Sequence, residues 1–400
     1  MKYIIIVPDG MADRPIEELG NKTPLQVAHT TNMDYLAQNG CVGLVQVIPD
    51  NMKPGSDVGN LSVLGYDPVK TYSGRAPLEA ANLGINLKDD EVAFRCNLVT
   101  VEKNVMKDYS AGHISSQEAA EIVETLNANR DEKEFRFVAG KSYRHLFIMK
   151  VRNIETYLKI KCTPPHDIMG RDIQKYLPQG MGSKILLRYM EKSRDLLSDH
   201  PVNKVRIDLK ENPANMIWLW GQGIRPTLPS FEEKFGIKGA IISAVDLVNG
   251  IGKLAGLEVI RVPGITGYYD TNYIGKAEYA LKALKKKDFV FIHIEGPDEA
   301  GHNGDAKAKI SCIEHIDREI LGTILNHYEK NDDVRILVLP DHPTPVSLRT
   351  HSREPVCFVM YGKRIPLDTA EEFHEASAKE KGLKYKSGEA LVDDFMRKYI

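Results

Sequence analysis

The sequence predicts an α/β protein: a mostly parallel sheet sandwiched by helices, with a smaller α+β domain inserted into it. Three observations lead to this prediction. Short β-branched and aromatic runs end abruptly at turn or acidic residues, as buried strands do. Segments with helical apolar spacing separate these runs, and such alternation is typical of a parallel sheet covered on both faces. Between about residues 75 and 235 the pattern becomes irregular, so the insertion is expected there.

The regular elements are predicted in the outer parts of the chain. Strands are predicted at residues 3–7, 288–294, 334–340 and 355–362. Helical segments are predicted at residues 23–40, which begin with a threonine cap and end in Asn-Gly, and at residues 306–330.

The middle of the chain is predicted to be a domain of its own. Its strands are shorter, at residues 135–140 and 143–151, and loops rich in Pro, Gly, His and Arg separate them. We therefore expect residues 1–74 and 236–400 to close into one discontinuous catalytic domain, with residues 75–235 inserted as a cap.

Composition excludes several classes of protein. The chain has 400 residues, 42% of them hydrophobic, and a formal net charge of −2, which gives no sign of a nucleic-acid or membrane-surface partner. The five cysteines are dispersed without a CxxC pair, which argues against a disulfide framework and a thiolate zinc site. The N-terminal apolar run is too short for a signal peptide, and no stretch approaches a membrane span. These features predict a soluble, cytoplasmic protein.

Acids and histidines gather at the predicted strand ends, where parallel sheets carry their chemistry. They are Asp9 after the first strand, Asp298 and His302 after the second, Asp341 and His342 after the third, and His351 before the fourth. A lone strand-end aspartate usually caps a turn, and a lone histidine is usually structural. Six such residues in these places are enough to bind two divalent ions, and carboxylates with imidazoles suit Mn²⁺, Zn²⁺ or Mg²⁺.

A serine stands in a glycine-flanked turn that leads toward a predicted helix, in NMKPGSDVGNLSVLGYDP (51–68). Ser56 could present its hydroxyl at the helix N-terminus, where backbone N–H groups receive a phosphoryl oxygen. The alternative is a simple N-cap. Neither GxSxG spacing nor a Ser–His–Asp triad accompanies it, so a divalent ion bound to the hydroxyl would have to activate it.

Several motifs together carry a family resemblance. In order along the chain they are VPDGMAD, KPGSDVGNLSVLGYDP, YSAGHIS (109–115), GITGYYDTNYIGKA, DEAGHNGD, PDHPTP and THSREPV. They resemble the cofactor-independent phosphoglycerate mutases of the archaeal type, which belong to the alkaline phosphatase superfamily. The resemblance covers nearly the whole chain.

The resemblance implies an enzyme that forms a phosphoserine and binds two divalent ions. Mn²⁺ is the principal candidate for these ions, and Zn²⁺, Co²⁺ and Mg²⁺ are alternatives. It also implies that 2,3-bisphosphoglycerate is not required. By this resemblance one ion is bound by Asp298, His302 and His351, and the other by Asp9, Ser56, Asp341 and His342. Ser56 would be the nucleophile. The reaction implied is the interconversion of 3-phosphoglycerate and 2-phosphoglycerate in glycolysis and gluconeogenesis, so the partner is a small phosphorylated molecule.

The inserted domain is expected to retain glycerate and exclude water during transfer. A carboxylate and a phosphate call for Arg and Lys, with His for proton transfer. His113 is the candidate for proton transfer, and the candidates for substrate binding are Arg144, His166, Asp167, Arg171 and Arg225, together with Lys276 outside the insertion. Lys276 could equally be a solvated helix lysine, and His293 is predicted to be structural.

Three other functions remain open at this stage. A related phosphotransferase such as a homoserine kinase would use the same residues with another acceptor. A phosphomonoesterase would admit water, and a metal-binding protein without catalysis would not need Ser56. The oligomeric state is also open, homo-oligomers included.

Overall fold

The computed structural model describes residues 1–328, 333–368 and 370–398. The chain divides into two compact units: unit 1 is Met1–Tyr72 with Thr227–Ile400, and unit 2 is Ser73–Pro226. Unit 1 has a mostly parallel sheet with helices, and unit 2 has an antiparallel sheet with helices, so the predicted fold class is confirmed.

The strands, in chain order, are β1 Lys2–Pro8, β2 Gly40–Val45, β3 Glu91–Glu102, β4 Val105–Asp108, β5 Phe135–Val138, β6 Arg144–Lys150, β7 Met216–Gly223, β8 Gly239–Ile242, β9 Glu258–Val259, β10 Phe289–Ile294, β11 Val334–Val338, β12 Val356–Gly362 and β13 Lys384–Tyr385.

The α-helices are α1 Pro24–Val27, α2 Thr31–Gln38, α3 Ser56–Val63, α4 Pro68–Thr71, α5 Arg75–Asn82, α6 Ser116–Ala128, α7 Ile154–Leu158, α8 Ser183–Ser198, α9 Pro201–Asp208, α10 Phe231–Phe235, α11 Asp246–Leu254, α12 Tyr273–Leu284, α13 Gly296–Asn303, α14 Ala306–His315, α15 Gly322–His327, α16 Glu375–Lys381 and α17 Gly388–Asp393. Short 3₁₀ turns lie at Glu17–Leu19, Pro165–Ile168 and Ile173–Tyr176, and π-helical segments at Ile316–Leu321 and Asp394–Lys398.

The sheet of unit 1 has the order β13-β2-β12-β11-β1-β10-β8-β9. Strand β1 lies between β10 and β11 and is parallel to both. Its apolar run is buried, with Ile4, Ile5 and Ile6 all 0% exposed, because both faces of this central strand are covered. The carboxyl ends of β1, β10 and β11 therefore meet at one edge of the sheet.

Strand β12 runs antiparallel to its neighbours β11 and β2. Its amino end consequently lies beside the carboxyl end of β11. This direction explains how His351, which precedes β12 in sequence, reaches the same edge as residues that follow parallel strands.

Two predicted helical segments differ from the structure in detail. Residues 23–40 form two helices, because Ala28 is extended (ψ 144°) and ends α1, whose first turn is capped by Thr23 as predicted. The backbone N–H of Met33 at the start of α2 then donates to Asp317 Oδ1 at 2.7 Å, a contact that no local pattern reveals. The segment 306–330 is helical through His327 with a π-helical stretch inside it, and its last two residues lie outside the described ranges.

Unit 2 is built on an antiparallel sheet in which β3 pairs with β4, β6 and β7, and β5 pairs with β6. Its own core includes Phe147 and Trp218, both 0% exposed. The unit ends at Pro226, earlier than the predicted boundary at residue 235. The difference arises because α10 belongs to unit 1, where Phe231 stacks on Phe289 with ring centroids 4.1 Å apart.

Within the described ranges, every helix is either too short or too polar to span a lipid bilayer.

Unit 2 also contains a buried histidine whose protonation opposes folding. His145 is 2% exposed, its Nδ1 accepts the Gly140 N–H at 3.0 Å, and burial lowers its pKa from 6.5 to about 4. Below about pH 6.5, His145 gains a proton in the unfolded chain but not in the folded chain. The free energy of unfolding therefore decreases as pH falls from 6.5 toward 4. At pH 5 the expected loss is about 2 kcal/mol. The decrease in melting temperature between pH 7 and pH 5 should therefore be smaller in His145→Gln than in the unaltered chain. Equal decreases in the two proteins would contradict this account.

Candidate active site

The predicted metal-binding side chains of unit 1 meet at the carboxyl edge of its sheet. Asp9 directly follows β1, and Asp341 with His342 follow β11. Asp298 and His302 lie on α13, which begins two residues after β10 ends. Asp9, Asp341 and His342 are 0% exposed and Asp298 is 4% exposed, so the cluster is buried among strand ends.

One group comprises Asp298, His302 and His351. His302 Nε2 lies 3.3 Å from Asp298 Oδ2 and 2.9 Å from His351 Nε2, and His351 Nε2 lies 3.5 Å from Asp298 Oδ1. Ligand atoms each about 2.0–2.2 Å from one ion are separated by about 3–3.5 Å, which these distances match. His302 Nδ1 lies 3.0 Å from the carbonyl oxygen of Arg349, which leaves Nε2 facing the group.

A second group adjoins the first. The possible metal-ligand atoms of Asp9, Asp341 and His342 lie within 4.8 Å of one another. His342 Nε2 is 3.5 Å from both Asp9 Oδ1 and Asp341 Oδ2. The same nitrogen lies 3.2 Å from Ser56 Oγ. The structure thus places the predicted nucleophile against the predicted second set of ligands.

Ser56 is the first residue of α3, after Gly55, so its hydroxyl stands at the helix N-terminus. The helix is fixed to the strand end from both sides. Asn60 Nδ2 donates to Asp341 Oδ2 at 2.8 Å, and a Cβ on Gly59 would lie only 2.6 Å from the Asp341 carbonyl oxygen. The glycine at position 59 therefore permits the close approach that brings Ser56 to His342.

The charges and unpaired atoms of the cluster fit a divalent cation. Among the described residues, Asp9 Oδ1 and Glu295 Oε2 are buried without a hydrogen-bond partner, which is costly unless a cation meets them. Burial, and then repulsion by Asp341, Glu295 and Asp298, raises the pKa of Asp9 well above its usual range. Burial and the Asp298 charge likewise raise the pKa of Glu295 to about 8. A cation among these carboxylates would remove that repulsion.

Asp298 behaves in the opposite way. Burial, the largest influence, raises its pKa, but hydrogen bonds to His302 and His351 outweigh burial and hold the pKa well below the usual range. The same contact with Asp298 raises the pKa of His302 to about 9. Asp298 is therefore an ionised carboxylate at neutral pH, as a ligand must be.

Two residues beside Asp9 were not recognised as part of the site from the sequence. His293 Nε2 lies 2.8 Å from Asp9 Oδ2, and His293 Nδ1 lies 3.2 Å from Ser243 Oγ. Burial lowers the pKa of His293 to about 3, so the ring is neutral and orients the carboxylate. Donor atoms of Asp9, His293 and Glu295 also lie within 4.8 Å of one another. The sequence signal that could have indicated them was alternation: His293 in β10 and Glu295 just after the strand are two residues apart, a spacing that places side chains on the same side of a strand.

Lys276 is 1% exposed, and its Nζ donates to the His293 carbonyl oxygen at 2.6 Å. Burial lowers its pKa to about 7. The structure thus places it under the strand end rather than at the surface, a position that does not favour the predicted role in substrate binding.

In unit 2, His113 lies in a left-handed turn. Ala111, Gly112 and His113 have φ angles of 49°, 66° and 52°, which is unfavourable for the two residues that are not glycine. Two hydrogen bonds hold the turn: Arg206 Nη2 donates to the Ala111 carbonyl oxygen at 2.7 Å in a buried contact, and Asp108 Oδ2 accepts the Gly112 N–H at 2.8 Å in an exposed one. A strained, well-anchored turn that exposes a histidine is compatible with the predicted proton-transfer role.

Aromatic rings connect several of the other predicted residues of unit 2. The Tyr143 ring contacts both His113, with ring centroids 6.2 Å apart, and the guanidinium of Arg144, which lies 5.5 Å from the ring centroid. His166 packs on Trp220 at 5.3 Å, and Asp167 Oδ1 lies 3.6 Å from His166 Nε2. All of these contacts are within unit 2: His113 and Arg144 each contact Tyr143, and His166 lies beside Asp167.

Arg95, a buried arginine of unit 2, was not predicted from the sequence. Arg95 lies over the Trp220 ring at 4.2 Å and pairs with Glu79 at 3.1 Å. Burial is the largest influence on Arg95 and lowers its pKa. The Glu79 carboxylate opposes this shift, whereas repulsion by Arg75 and Arg144 adds to it. Alternation along β3 could have indicated Arg95, since it is the one basic residue in an apolar strand.

The two remaining predicted residues are exposed. Arg171 Nη1 lies 3.4 Å from the Tyr176 hydroxyl, and Arg225 follows β7 near the end of unit 2.

A mostly parallel sheet, with a serine at a helix N-terminus facing buried aspartates and histidines, defines the class: an α/β protein with a candidate serine and metal site at the carboxyl edge of its sheet. The family model described as 2,3-bisphosphoglycerate-independent phosphoglycerate mutase matches residues 37–203. A protein of that name from Methanosarcina barkeri is 52% identical over 386 residues, which is 96% of each chain. The chain belongs to the family of 2,3-bisphosphoglycerate-independent phosphoglycerate mutases.

Other relatives agree. A probable 2,3-bisphosphoglycerate-independent phosphoglycerate mutase of Geobacter sulfurreducens is 47% identical and covers 98% of this chain and 99% of that protein. Among solved structures, a Pyrococcus horikoshii protein has a TM-score of 0.82 at 32% identity, with 99% and 97% of the two chains covered. The cofactor-independent phosphoglycerate mutase of Thermoplasma acidophilum has a TM-score of 0.68 at 29% identity, with both chains fully covered (100%). The family predicted from the motifs is thus confirmed.

Proposed function

We propose that this chain interconverts 3-phosphoglycerate and 2-phosphoglycerate through a phosphoserine at Ser56. One observation carries the proposal: the Ser56 hydroxyl lies at a helix N-terminus, 3.2 Å from His342 Nε2, beside two adjoining groups of carboxylates and imidazoles. The relatives that match nearly the whole chain carry the mutase name, which favours glycerate over homoserine as the acceptor.

The reaction has two balanced halves. In the first, Ser56 Oγ loses its proton and bonds to phosphorus, the bond from phosphorus to the C3 oxygen breaks, and that oxygen takes up a proton. In the second, the C2 hydroxyl of the same glycerate loses its proton and attacks phosphorus, and Ser56 Oγ leaves and is reprotonated. Ser56 lies at the N-terminus of α3, and the positive end of a helix dipole favours the negative charge of a phosphoryl group. His113 is the proposed proton carrier at the glycerate oxygens.

The proposal includes two divalent ions, for which Mn²⁺ is the principal candidate. Asp298, His302 and His351 would hold one, and Asp9, Ser56, Asp341 and His342 the other. When bound, such ions would lower the pKa of the serine hydroxyl and neutralise phosphoryl charge. His293 holds the Asp9 carboxylate in place from behind.

The two units have different proposed roles. Unit 1 would carry the phosphoryl group on Ser56. In unit 2, Arg144, Arg171 and Arg225 would bind the carboxylate and phosphate of the substrate, because guanidinium groups form paired hydrogen bonds with both. His166 and Asp167 are the other residues of unit 2 proposed to contact the substrate. The predicted cytoplasmic location and homo-oligomer formation remain predictions.

The test is a ³¹P NMR time course with Mn²⁺-reconstituted protein, 3-phosphoglycerate and no 2,3-bisphosphoglycerate. Separate resonances distinguish 3-phosphoglycerate, 2-phosphoglycerate and inorganic phosphate in one measurement. We expect 2-phosphoglycerate to approach its equilibrium share with little free phosphate.

Other outcomes would overturn the proposal in identifiable ways. Release of inorganic phosphate as the main product would indicate a phosphomonoesterase. An unchanged spectrum with folded, metal-loaded protein would exclude the mutase, and phosphorylation of homoserine by a nucleoside triphosphate would then identify the kinase.

A further inference from the structure

Thr344 is a buried residue of the PDHPTP segment that has no role in the function proposed above. It is 0% exposed, and each of its polar atoms has a partner. Its N–H faces the carbonyl oxygens of Gly10 and Ala12, both at 3.3 Å, and its carbonyl oxygen accepts from Lys309 Nζ at 2.9 Å. The position of the residue is therefore set by its backbone, independently of its side chain.

A buried ion pair supports the same segment. Lys309 Nζ lies 2.7 Å from Asp13 Oδ2, with both side chains 0% exposed, and Asp13 Oδ2 also accepts the Val346 N–H at 3.1 Å. Such a pair is costly to bury unless its hydrogen bonds are satisfied, and here they are satisfied by the segment that carries Thr344. The segment is consequently anchored by hydrogen bonds at both Thr344 and Val346.

The Thr344 hydroxyl lies between the two groups of candidate ligands. It donates to Asp298 Oδ1, which belongs to the first group, and it lies 3.2 Å from Nδ1 of His342, which belongs to the second. His342 Nε2 faces the other way, toward Ser56 and the carboxylates.

These contacts determine where the proton of the Thr344 hydroxyl and the proton of the His342 ring lie. A threonine hydroxyl has one proton to donate, and an Asp298 carboxylate that binds a metal ion carries no proton and can only accept, so the hydroxyl proton points to Asp298. The hydroxyl oxygen must then accept from His342, whose proton is therefore on Nδ1. In a neutral imidazole this leaves the Nε2 lone pair free, facing the second group.

The backbones of two glycines pack closely against Thr344. A Cβ on Gly10 would lie 2.6 Å from Thr344 Oγ1 and 2.6 Å from Asp298 Oδ1, so the backbone of Gly10 closes the space on that side. On the other side, a Cβ on Gly301 would lie 2.3 Å from the Thr344 carbonyl oxygen.

We propose that Thr344 is a positioning residue whose single hydroxyl orients a ligand of each group, by fixing the tautomer of His342 and the carboxylate of Asp298. This inference rests on the proposed metal-binding role of the two groups. It predicts that loss of the hydroxyl weakens binding of both ions at once, because His342 and Asp298 each lose the contact that orients them.

The test is calorimetric titration of the metal-free, full-length protein with Mn²⁺. Thr344→Val keeps the shape and removes the hydroxyl, and Thr344→Ser keeps the hydroxyl. We expect Thr344→Val to lose about 10–100-fold in affinity at both binding steps and Thr344→Ser to bind like the unaltered chain. Thr100→Val is the matched control, since Thr100 is also buried (2% exposed) and donates at 2.7 Å to a carbonyl oxygen, that of Pro213, in unit 2.

If Thr344→Val binds Mn²⁺ with unchanged affinity at either step, the proposal is wrong. A fall in thermal stability like that of Thr100→Val would not alter this conclusion. If the valine variant fails to fold, ¹⁵N NMR of histidine-labelled unaltered protein decides, since a proton on Nε2 of His342 rather than Nδ1 would refute the assignment. Failure of the proposed function is a separate result: it would appear as absent Mn²⁺ binding or absent mutase turnover in the unaltered chain.

Discussion

Replacing Ser56 with alanine is expected to lower kcat/KM for 3-phosphoglycerate by about 10⁴-fold or more, since loss of a covalent nucleophile has effects of this size. The variant should still fold. Gly55, not Ser56, is the residue that precedes and caps α3, and the contact of the Ser56 hydroxyl is with His342 Nε2. Steady-state rates and the intact mass of substrate-treated protein measure the effect, because only the unaltered chain should gain a phosphoryl group.

The same helix offers a matched control. Ser62 of α3 is 0% exposed, and among the described residues its hydroxyl has no hydrogen-bond partner. Ser62→Ala removes the same atom from the same helix without touching the site, so we expect nearly normal rates. Substantial turnover by Ser56→Ala, or an equal loss in Ser62→Ala, would contradict the role of Ser56.

Replacing Asp298 with asparagine is expected to reduce bound Mn²⁺ from about two ions per chain to about one, with a loss in kcat/KM of about 10³-fold. The Asp298 carboxylate lies within 3.5 Å of Nε2 of both His302 and His351. An amide carries no charge and presents N–H groups on one side, so it cannot replace both oxygens. Metal content after dialysis, measured by mass spectrometry, tests this directly.

Glu299→Gln is the control for this change. Glu299 is the next residue of α13 and is half-buried, and the substitution removes the same charge. We expect it to retain both ions. Full metal content and activity in Asp298→Asn would refute the assignment of Asp298 as a ligand, whereas loss of metal in both variants would indicate a general effect of charge.

Much of this protein could be predicted from short stretches of sequence. The strands β1, β10 and β11 are apolar runs that end at acidic residues, and a strand end is a local feature. Because parallel strands share one carboxyl edge, the strand pattern alone was enough to expect Asp9, Asp298 and Asp341 close together. The glycines around Ser56 indicated the turn for the same local reason.

Other features depended on contacts between residues distant in sequence. The antiparallel direction of β12 brings His351 to Asp298, and no pattern within β12 specifies its direction. The ring of His293 has the sequence context of a core residue, and only the packing of β1 against β10 brings it within 2.8 Å of Asp9.

The sequence by itself determined the fold class, the family and the principal candidate ligands, because apolar period, turn chemistry and motif order are carried by neighbouring residues. Only the tertiary structure decided that Thr344 joins the two ligand groups, that Lys276 is buried under the strand end, and that Arg206 holds the turn of His113. Each of these roles is a hydrogen bond or a burial that exists only once separate elements pack, and packing is a property of the whole chain.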